Sequence, residues 1–579
     1  MPVQITGYGA INEIGGSKIL IEDSDRRILL DFGMPFGRYG RYFDGVFIKE
    51  RASRGLLDML ALGLLPPLRG VLRRDLVPAL DPAYLDVISL PPTGRQKAAR
   101  DQVTLSEAGD DDFWQHWQRA WPEAHRDMRR EGRPAADAVI LSHAHQDHIA
   151  DTVFLDPDIA AVSTRVTAFI SKVLADTGMA GQGAPYCNPY ALDAGGLLGV
   201  PRGSSYRGRP WRFVDGEPGA ETAEDVLQSA SAFWGSSPAS KGLEVQPCNL
   251  APSLVIKHWP VDHSLFGAAG YAVETAAGWV AYTGDMRMHG KNGRQTIAFA
   301  QALQALRPAA LLCEGTRLAA ERPATTEAEV HDACLRQVQA VPGQMVVADF
   351  AARNIERLET FIDIATQTRR QLLVQPKDAY LLRAICLADA DMPDWMAHPS
   401  VALYADPKST ERNWETLVRR RYAQRMVNHL IVAKNPGDYI LAFSLTDIAD
   451  MLDIAAVMGS RAGNASRGIY LFSNSAAYDD EQKVDLERLW NWVDHLGLRM
   501  IGLERPTRNE GGALVVRQPP GFHSSGHAGQ QDLLEFVRTV APRTLIPIHT
   551  EHAELWPGLL SGTGIKIIMP QFFKPIVLG

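Results

Sequence analysis

The run Leu141-Ser142-His143-Ala144-His145-Gln146-Asp147-His148 crowds four side chains able to bind a metal into six positions. Neutral imidazoles mixed with a carboxylate suit zinc, manganese or iron rather than calcium. His143 and His145, two apart, can reach one ion, while Asp147 and His148 reach a neighbouring one. The competing reading is a solvated histidine loop. The preceding residues argue against it: Ala138-Val139-Ile140-Leu141 is a short apolar run of the buried-strand kind, so the ligands sit on the loop leaving a strand's carboxyl end.

Other strand ends deliver further candidates. Lys18 to Glu22 and Arg27 to Gly33 read as a hairpin turning at Asp23-Ser24-Asp25, after a glycine-rich stretch from Gly7 to Gly16. Asp31 near its end is either a turn cap or a carboxylate that orients the ligand loop or a metal-bound histidine. Leu254 to Val261 runs as a strand towards His263. A second hairpin, Gly270 to Glu274 and Trp279 to Thr283 around Ala276-Ala277-Gly278, ends on Asp285. Alone, each of these is as easily a loop residue or a turn former; beside the histidine cluster they form a metal constellation. Three more candidates follow. They are Glu314 in Leu312-Cys313-Glu314-Gly315-Thr316, His527 in Phe522-His523-Ser524-Ser525-Gly526-His527-Ala528-Gly529, and His549 at the end of the strand starting at Leu545.

Between Glu314 and His527 the pattern is that of a separate domain. Thr326 and Glu329 form a capping box opening a helix to about Ala340. Strands at Met345 to Phe350, Gln371 to Gln375, Tyr439 to Phe443, Gly468 to Phe472 and Arg499 to Leu503 alternate with helices at Asn354 to Arg369, Thr446 to Met458 and Glu481 to Leu496. Such alternation implies a parallel α/β sheet. No Gly-x-Gly-x-x-Gly fingerprint accompanies it, so no dinucleotide is indicated. Arg419, Arg420, Arg421 and Arg425 lie on a predicted helix from Thr410 to Val427, as a solvated face or a contact for a polyanion. A helix is also expected from Thr164 to Gly178. Residues 34–134, with Asp110-Asp111-Asp112 and the helix-like Phe113 to His125, and the polar stretch 181–247 read as insertions; loops this long are lids, binding surfaces or flexible segments.

The chain of 579 residues has room for two to four domains, and its net charge of -8 does not advertise a polyanion partner, so a nucleic-acid site requires a local basic groove. Cys187, Cys248, Cys313, Cys334 and Cys386 are odd in number and form no Cys-x-x-Cys pair, which argues against a disulfide framework or a thiolate zinc site and for a reducing cytoplasm. No leader opens the chain and no membrane span is expected; Leu56 to Leu68 is too short and is broken by Pro66-Pro67.

The ordered set Asp31, His143-x-His145-x-Asp147-His148, His263, Asp285, Glu314, His527 and His549 resembles the metallo-β-lactamase superfamily in its β-CASP branch of nucleases, and Ser524 to His549 is similar to the ribonuclease J family. The resemblance implies an α/β fold: an αββα metallo-β-lactamase sandwich over residues 1–315, an inserted parallel-sheet β-CASP domain over 316–510, and a return segment over 511–579. It implies that His143, His145 and His263 hold one zinc and Asp147, His148 and His549 another, with Asp285 bridging and manganese as the alternative metal. Two such ions acidify water and neutralise charge developing on a phosphodiester. His527 becomes the general acid, hydrogen-bonded to Glu314; Asp147 and Asp285 belong to the catalytic set; Ser473, Ser525 and Gly526 bind phosphate oxygens; Asp31 is support. The implied activity is a zinc-dependent ribonuclease, endonucleolytic or 5′-exonucleolytic. Its alternatives are a DNA nuclease of the same branch, a small-ester hydrolase, or a silent nucleic-acid-binding relative. RNA is preferred because His549 stands where DNA-repair members typically carry valine; single-stranded DNA is the alternative partner, and a homodimer is one assembly compatible with the resemblance, the oligomeric state being left open. The large insertions before His143 and His263, and the thirty residues after His549, depart from the ribonuclease J pattern, the latter leaving no room for its extra C-terminal domain.

Overall fold

Two sheets share a core that every candidate ligand borders. The computed structural model describes residues 2–24, 26–44, 48–68, 70–77, 134–178, 182–219, 225–237, 241–351, 353–459, 467–475, 477 and 480–579; the acidic run at 110–112 and the segment 113–125 lie outside them. The first sheet runs Trp211–Phe213, Ala160–Ser163, Ala138–Ile140, Arg26–Phe32, Lys18–Asp23, Val3–Gly9, Ile576–Leu578. The second runs Ile256–Pro260, Ala269–Thr275, Gly278–Tyr282, Ala310–Glu314, Thr544–Ile548, Lys566–Ile567. Alternate side chains of each strand point to opposite faces. Ile19, Ile21, Ile28 and Ile140 therefore meet Tyr271, Val273, Tyr282 and Ile548 between the sheets. The other faces take helices: Leu29 and Val139 pack with Phe169 and Val173 of the helix Arg165–Thr177, while Leu311 and Leu545 pack with Phe299 of Gly293–Leu306 and Phe536 of Gln530–Val540.

The chain leaves this sandwich after Ala310–Glu314 and returns beside the same strand, since Thr544–Ile548 pairs parallel to it with Glu314 opposite Ile548. The excursion forms a seven-stranded sheet ordered Met426–Asn428, Val401–Ala405, Gln371–Val374, Tyr439–Leu441, Met345–Asp349, Gly468–Phe472, Leu498–Ile501, with every pair parallel. Burial on both faces explains its unbroken apolar strands, such as Met345-Val346-Val347-Ala348. Thr326 and Glu329 form the capping box of the helix Glu327–Gln339. This is the αββα sandwich with an inserted parallel-sheet domain that the resemblance implies; the excursion is called the cap below.

Two regions depart from the sequence reading. The stretch 181–247 is not loop alone: Trp211–Phe213 is the edge strand of the first sheet, paired with Ala161 to Ser163. The helix expected from Thr410 to Val427 spans only Asn413–Arg421, and Val427 lies in a strand opposite Tyr404, buried where a solvated helix end was expected. Its arginines are largely committed within the chain. Arg419 binds Asp406 and lies 3.3 Å from both Glu411 and Glu415; Arg421 is 3.6 Å from Asp225; Arg425 donates to the carbonyls of His398 and Val401 at 2.7 and 3.1 Å. Leu56–Ala61 is a helix whose Leu56, Met59 and Leu60 enter the core, and among the described residues no helix is long and apolar enough to cross a membrane.

The cap is fastened to the sandwich by buried polar contacts as well as apolar ones. Arg287 reaches Asp262 at 3.1 Å, Glu327 at 3.3 Å and Glu356 at 2.8 Å, and Arg357 reaches Glu327 at 3.0 Å. Tyr380 of the cap donates to Asp176 of the sandwich at 2.7 Å. Removing one member of so buried a network leaves an uncompensated charge, which costs about 3–5 kcal/mol.

Candidate metal centre

The strand Ala138–Ile140 is held between parallel neighbours, so the loop after it leaves the sandwich at a fixed place. His143, His145, His263 and Asp285 present ligand atoms within 4.8 Å of one another; Asp147, His148, Asp285 and His549 do likewise, and so do Asp285, Glu314, His527 and His549. His145 Nδ1 lies 3.0 Å from His143 Nε2 and 3.1 Å from His263 Nε2. His148 Nε2 is 3.1 Å from Asp285 Oδ2, and His549 Nε2 is 3.3 Å from Asp147 Oδ2.

The rings are aimed by what their outer nitrogens bind. His148 Nδ1 donates to Asp31 Oδ2 at 2.7 Å, and His263 Nδ1 donates to the Gly526 carbonyl at 2.6 Å. Ser142 Oγ gives its proton to Asp31 Oδ2 at 2.6 Å and so accepts from His143 Nδ1 at 3.0 Å. Asp31 also takes the Ser142 N–H at 2.7 Å and the Tyr282 hydroxyl. With Nδ1 tied back, Nε2 of all three rings is the atom left facing the centre. Asp31 and His549 themselves have φ of 53° and 50°, a conformation non-glycine residues seldom adopt, which the surrounding hydrogen bonds sustain. Close backbone approach requires glycine beside them: a Cβ on Gly33 would fall 1.8 Å from the Asp147 carbonyl oxygen, and one on Gly526 2.7 Å from Ser264 Oγ.

The donor set fits two divalent cations. One N–H on His145 Nδ1 can satisfy only one of its two imidazole neighbours, which leaves lone pairs facing each other. His148 Nε2 and Asp285 Oδ1 are buried without a hydrogen-bond partner; such orphaned atoms call for an ion or a water. Burial pushes His143 and His145 well below the ordinary histidine range and His263 to about 3, the neutral form a metal requires. Burial would also lower His148, but the carboxylates of Asp285 and Asp147 outweigh it and hold the ring well above its usual value. Burial would raise Asp147 and Asp285, yet neighbouring histidines hold both below the carboxylate range.

Beside these groups stands a histidine with a different partner. His527 Nδ1 lies 3.2 Å from each oxygen of Glu314, while its Nε2 lies 3.9 Å from Asp285 Oδ2. The buried Glu314 carboxylate is fixed by the N–H groups of Met286 and Thr316 at 3.0 and 3.1 Å. Burial lowers His527, but Glu314 and Asp285 more than offset it and bring the pKa to about 9.

The three residues expected to hold phosphate are placed differently. Ser473 is buried in the cap's ion network, its hydroxyl donating to the Phe522 carbonyl at 2.7 Å and accepting from Arg357, so it has no free group for a substrate. Ser525 Oγ accepts the His527 N–H at 3.1 Å, and its carbonyl takes Arg287 and His289 at 3.1 and 2.9 Å. Gly526 borders His263 through its carbonyl. Sequence reasoning missed Ser142, Tyr282 and His289, whose parts depend on three-dimensional neighbours, and Arg353, whose guanidinium reaches the Ala144 carbonyl from the cap at 3.5 Å.

Residues 522–570 match the family described as Zn-dependent metallo-hydrolase RNA specificity domain. Ribonuclease J of Mycobacterium tuberculosis (strain CDC 1551 / Oshkosh) is 22% identical over 426 residues, 71% of this chain and 58% of that protein. Ribonuclease J of Mycolicibacterium smegmatis is 23% identical over 446 residues, 74% of this chain and 61% of that protein. The chain thus aligns with less than two thirds of these relatives' length. A crystal structure of a protein of unknown function from Enterococcus faecalis V583 shares the fold over 100% of both chains, with a TM-score of 0.58 at 17% identity. With two candidate ligand groups sharing Asp285, and a return segment that carries His527 and His549 to Glu314, the chain resembles ribonuclease J and, with it, the β-CASP branch of the metallo-β-lactamase superfamily.

Proposed function

We propose that the chain is a metal-dependent ribonuclease whose sandwich, residues 1–315 and 511–579, holds two zinc ions and whose cap, 316–510, covers the RNA. The observation that carries this reading is the His527–Glu314 pair: His527, on the segment that matches an RNA specificity domain, places Nε2 3.9 Å from the aspartate common to both ligand groups. His143, His145, His263 and Asp285 would hold one ion and Asp147, His148, His549 and Asp285 the other. Bound there, zinc supplies Lewis acidity that activates water near neutral pH and counter-charge for a phosphodiester.

The chain's own residues do the rest. Asp31, Ser142 and the Gly526 carbonyl fix which nitrogen of each ring points inward. Glu314 accepts from His527 Nδ1, so Nε2 is the atom from which a proton passes to the departing ribose oxygen. The buried centre excludes bulk water, which strengthens each of these interactions.

End-labelled RNA and matched single-stranded DNA, incubated with the purified chain at one salt concentration, with and without zinc or manganese, test the reading. RNA cleavage that needs the metal and stops with chelator is expected, and product lengths report endo- or exonucleolytic mode. Equal or faster cleavage of DNA overturns the ribonuclease assignment; cleavage of neither by metal-loaded protein overturns the nuclease.

A further inference from the structure

Among the described residues, several buried arginines spend most of their donors within the chain, and Arg353 does not. Arg209 donates to the five carbonyls of Ala184, Asp156, Ile159, Thr152 and Leu155. Arg73 grips Asp75 with two nitrogens and also reaches the Asn188 carbonyl. Arg287 and Arg357 are locked among carboxylates. Arg353 has one bond, from Nη1 to the Ala144 carbonyl at 3.5 Å, at the limit of hydrogen-bond length. A guanidinium has five N–H donors, so most of its capacity is unused.

Its position is fixed. It lies between the cap strand Met345–Asp349 and the helix Ile355–Gln367, where Asn354 accepts the Arg357 N–H at 3.1 Å and the Arg353 carbonyl accepts that of Ile355 at 3.1 Å. From there the half-buried side chain reaches the loop between His143 and His145. Its charge bears on both His145 and Asp147. Divalent ions held by His143, His145 and their neighbours would repel a guanidinium this near, so the arrangement would be favourable with an anion present to bind both. The planar fork of arginine matches the oxygens of a phosphate.

We propose that Arg353 is the cap's phosphate-binding residue, taking the non-bridging oxygens of the phosphate group presented to the metal centre. That the phosphate belongs to RNA rests on the proposed function; that Arg353 binds it does not. The test is therefore run with two probes on zinc-loaded protein carrying His527→Ala to prevent cleavage: inorganic phosphate by calorimetry, and a labelled RNA oligonucleotide by anisotropy across a salt series.

Arg353→Ala is expected to weaken both by about 10–100-fold, as loss of a hydrogen bond to a charged group implies, and to make the dependence of log K on log salt for RNA shallower by about 0.7, one phosphate contact on a single strand. Arg353→Lys should keep the salt slope and recover part of the affinity. Metal content and melting temperature should stay at the parent's values. Unchanged phosphate and RNA affinity in Arg353→Ala overturns the inference, as does loss of zinc, which would make the residue a prop for the ligand loop. If the parent binds phosphate through Arg353 yet ignores RNA, the inference stands and the ribonuclease reading fails. If RNA is cut by the wild type and bound equally by Arg353→Ala, the reverse holds.

Discussion

The two ligand groups begin in one loop and are kept ready in opposite ways. His143, His145 and His263 contribute nitrogen alone, and burial first, then repulsion from neighbouring cationic groups, keeps them neutral. Asp147, His148 and His549 balance charge against charge, and Asp31 grips His148 directly while reaching His143 only through Ser142. A site readied by desolvation depends on the walls around it, whereas a site readied by compensation depends on its partners.

Asp285 is where the comparison breaks most sharply, because both groups need it. Asp285→Asn should lose both metals and fall to background cleavage, read by elemental analysis after dialysis against a weak chelator beside an RNA assay. A variant that kept both ions at wild-type affinity would remove the shared ligand from the account.

His527 tests where the ligand groups end. His527→Ala should keep its metal and lose about 10²–10⁴-fold in cleavage, the usual contribution of general acid catalysis, with Glu314→Gln following in part. Release of an ion from His527→Ala would instead make His527 a ligand and exchange its role with that of His549.

Asp31→Asn sharpens the difference between the groups. Loss of a carboxylate behind a ligating histidine costs about 10–100-fold in metal affinity. The loss should fall on the group containing His148 and less on that containing His143. Stepwise chelation followed by metal analysis shows whether one ion leaves first; equal weakening of both would erase the distinction.

The smallest effect lies in the cap, where a carboxylate is buried without either compensation. Burial pushes Asp349 up to about 7 from the ordinary 3.8, against the hydrogen bonds from Tyr470 and Asn474. The folded chain therefore retains a proton between those values that the unfolded chain has released. Stability falls as pH rises across that window and then levels off. Asp349→Asn should gain melting temperature relative to wild type as pH goes from 4 to 7 and leave metal content alone. A constant offset at every pH would show that Asp349 does not titrate there.

The residues that converge on the candidate centre were legible because apolar runs lead to them: Ala138–Ile140 precedes His143, Gly278–Tyr282 precedes Asp285, and Thr544–Ile548 precedes His549. Strand ends place side chains reproducibly, so type and spacing carried the geometry. Trp211–Phe213 was hidden because three residues are too few to show a period. Met426–Asn428 was hidden because an apolar Val427 after basic residues also fits a helix. Ser473 and the arginines at 419–425 look available in sequence, but availability depends on partners such as Arg357, Asp406 and backbone carbonyls, which no local pattern reveals. Arg353 is the converse case, an unremarkable position made conspicuous by what fails to meet it.

The pairing of Ala310–Glu314 with Thr544–Ile548 sets an order in time. Thr316 and His549, hydrogen-bonded at 2.9 Å, are 233 residues apart, and contacts of such separation form late because the intervening chain must be placed first. During synthesis, His143, His145, His263 and Asp285 emerge well before His527 and His549. A growing chain thus carries all the ligands of its nitrogen-rich group while lacking the Gly526 carbonyl that orients His263, the proton donor and the second group's last ligand. Under the proposed ribonuclease reading, that delay withholds the assembled centre from the message being translated until Thr544–Ile548 has closed beside Ala310–Glu314.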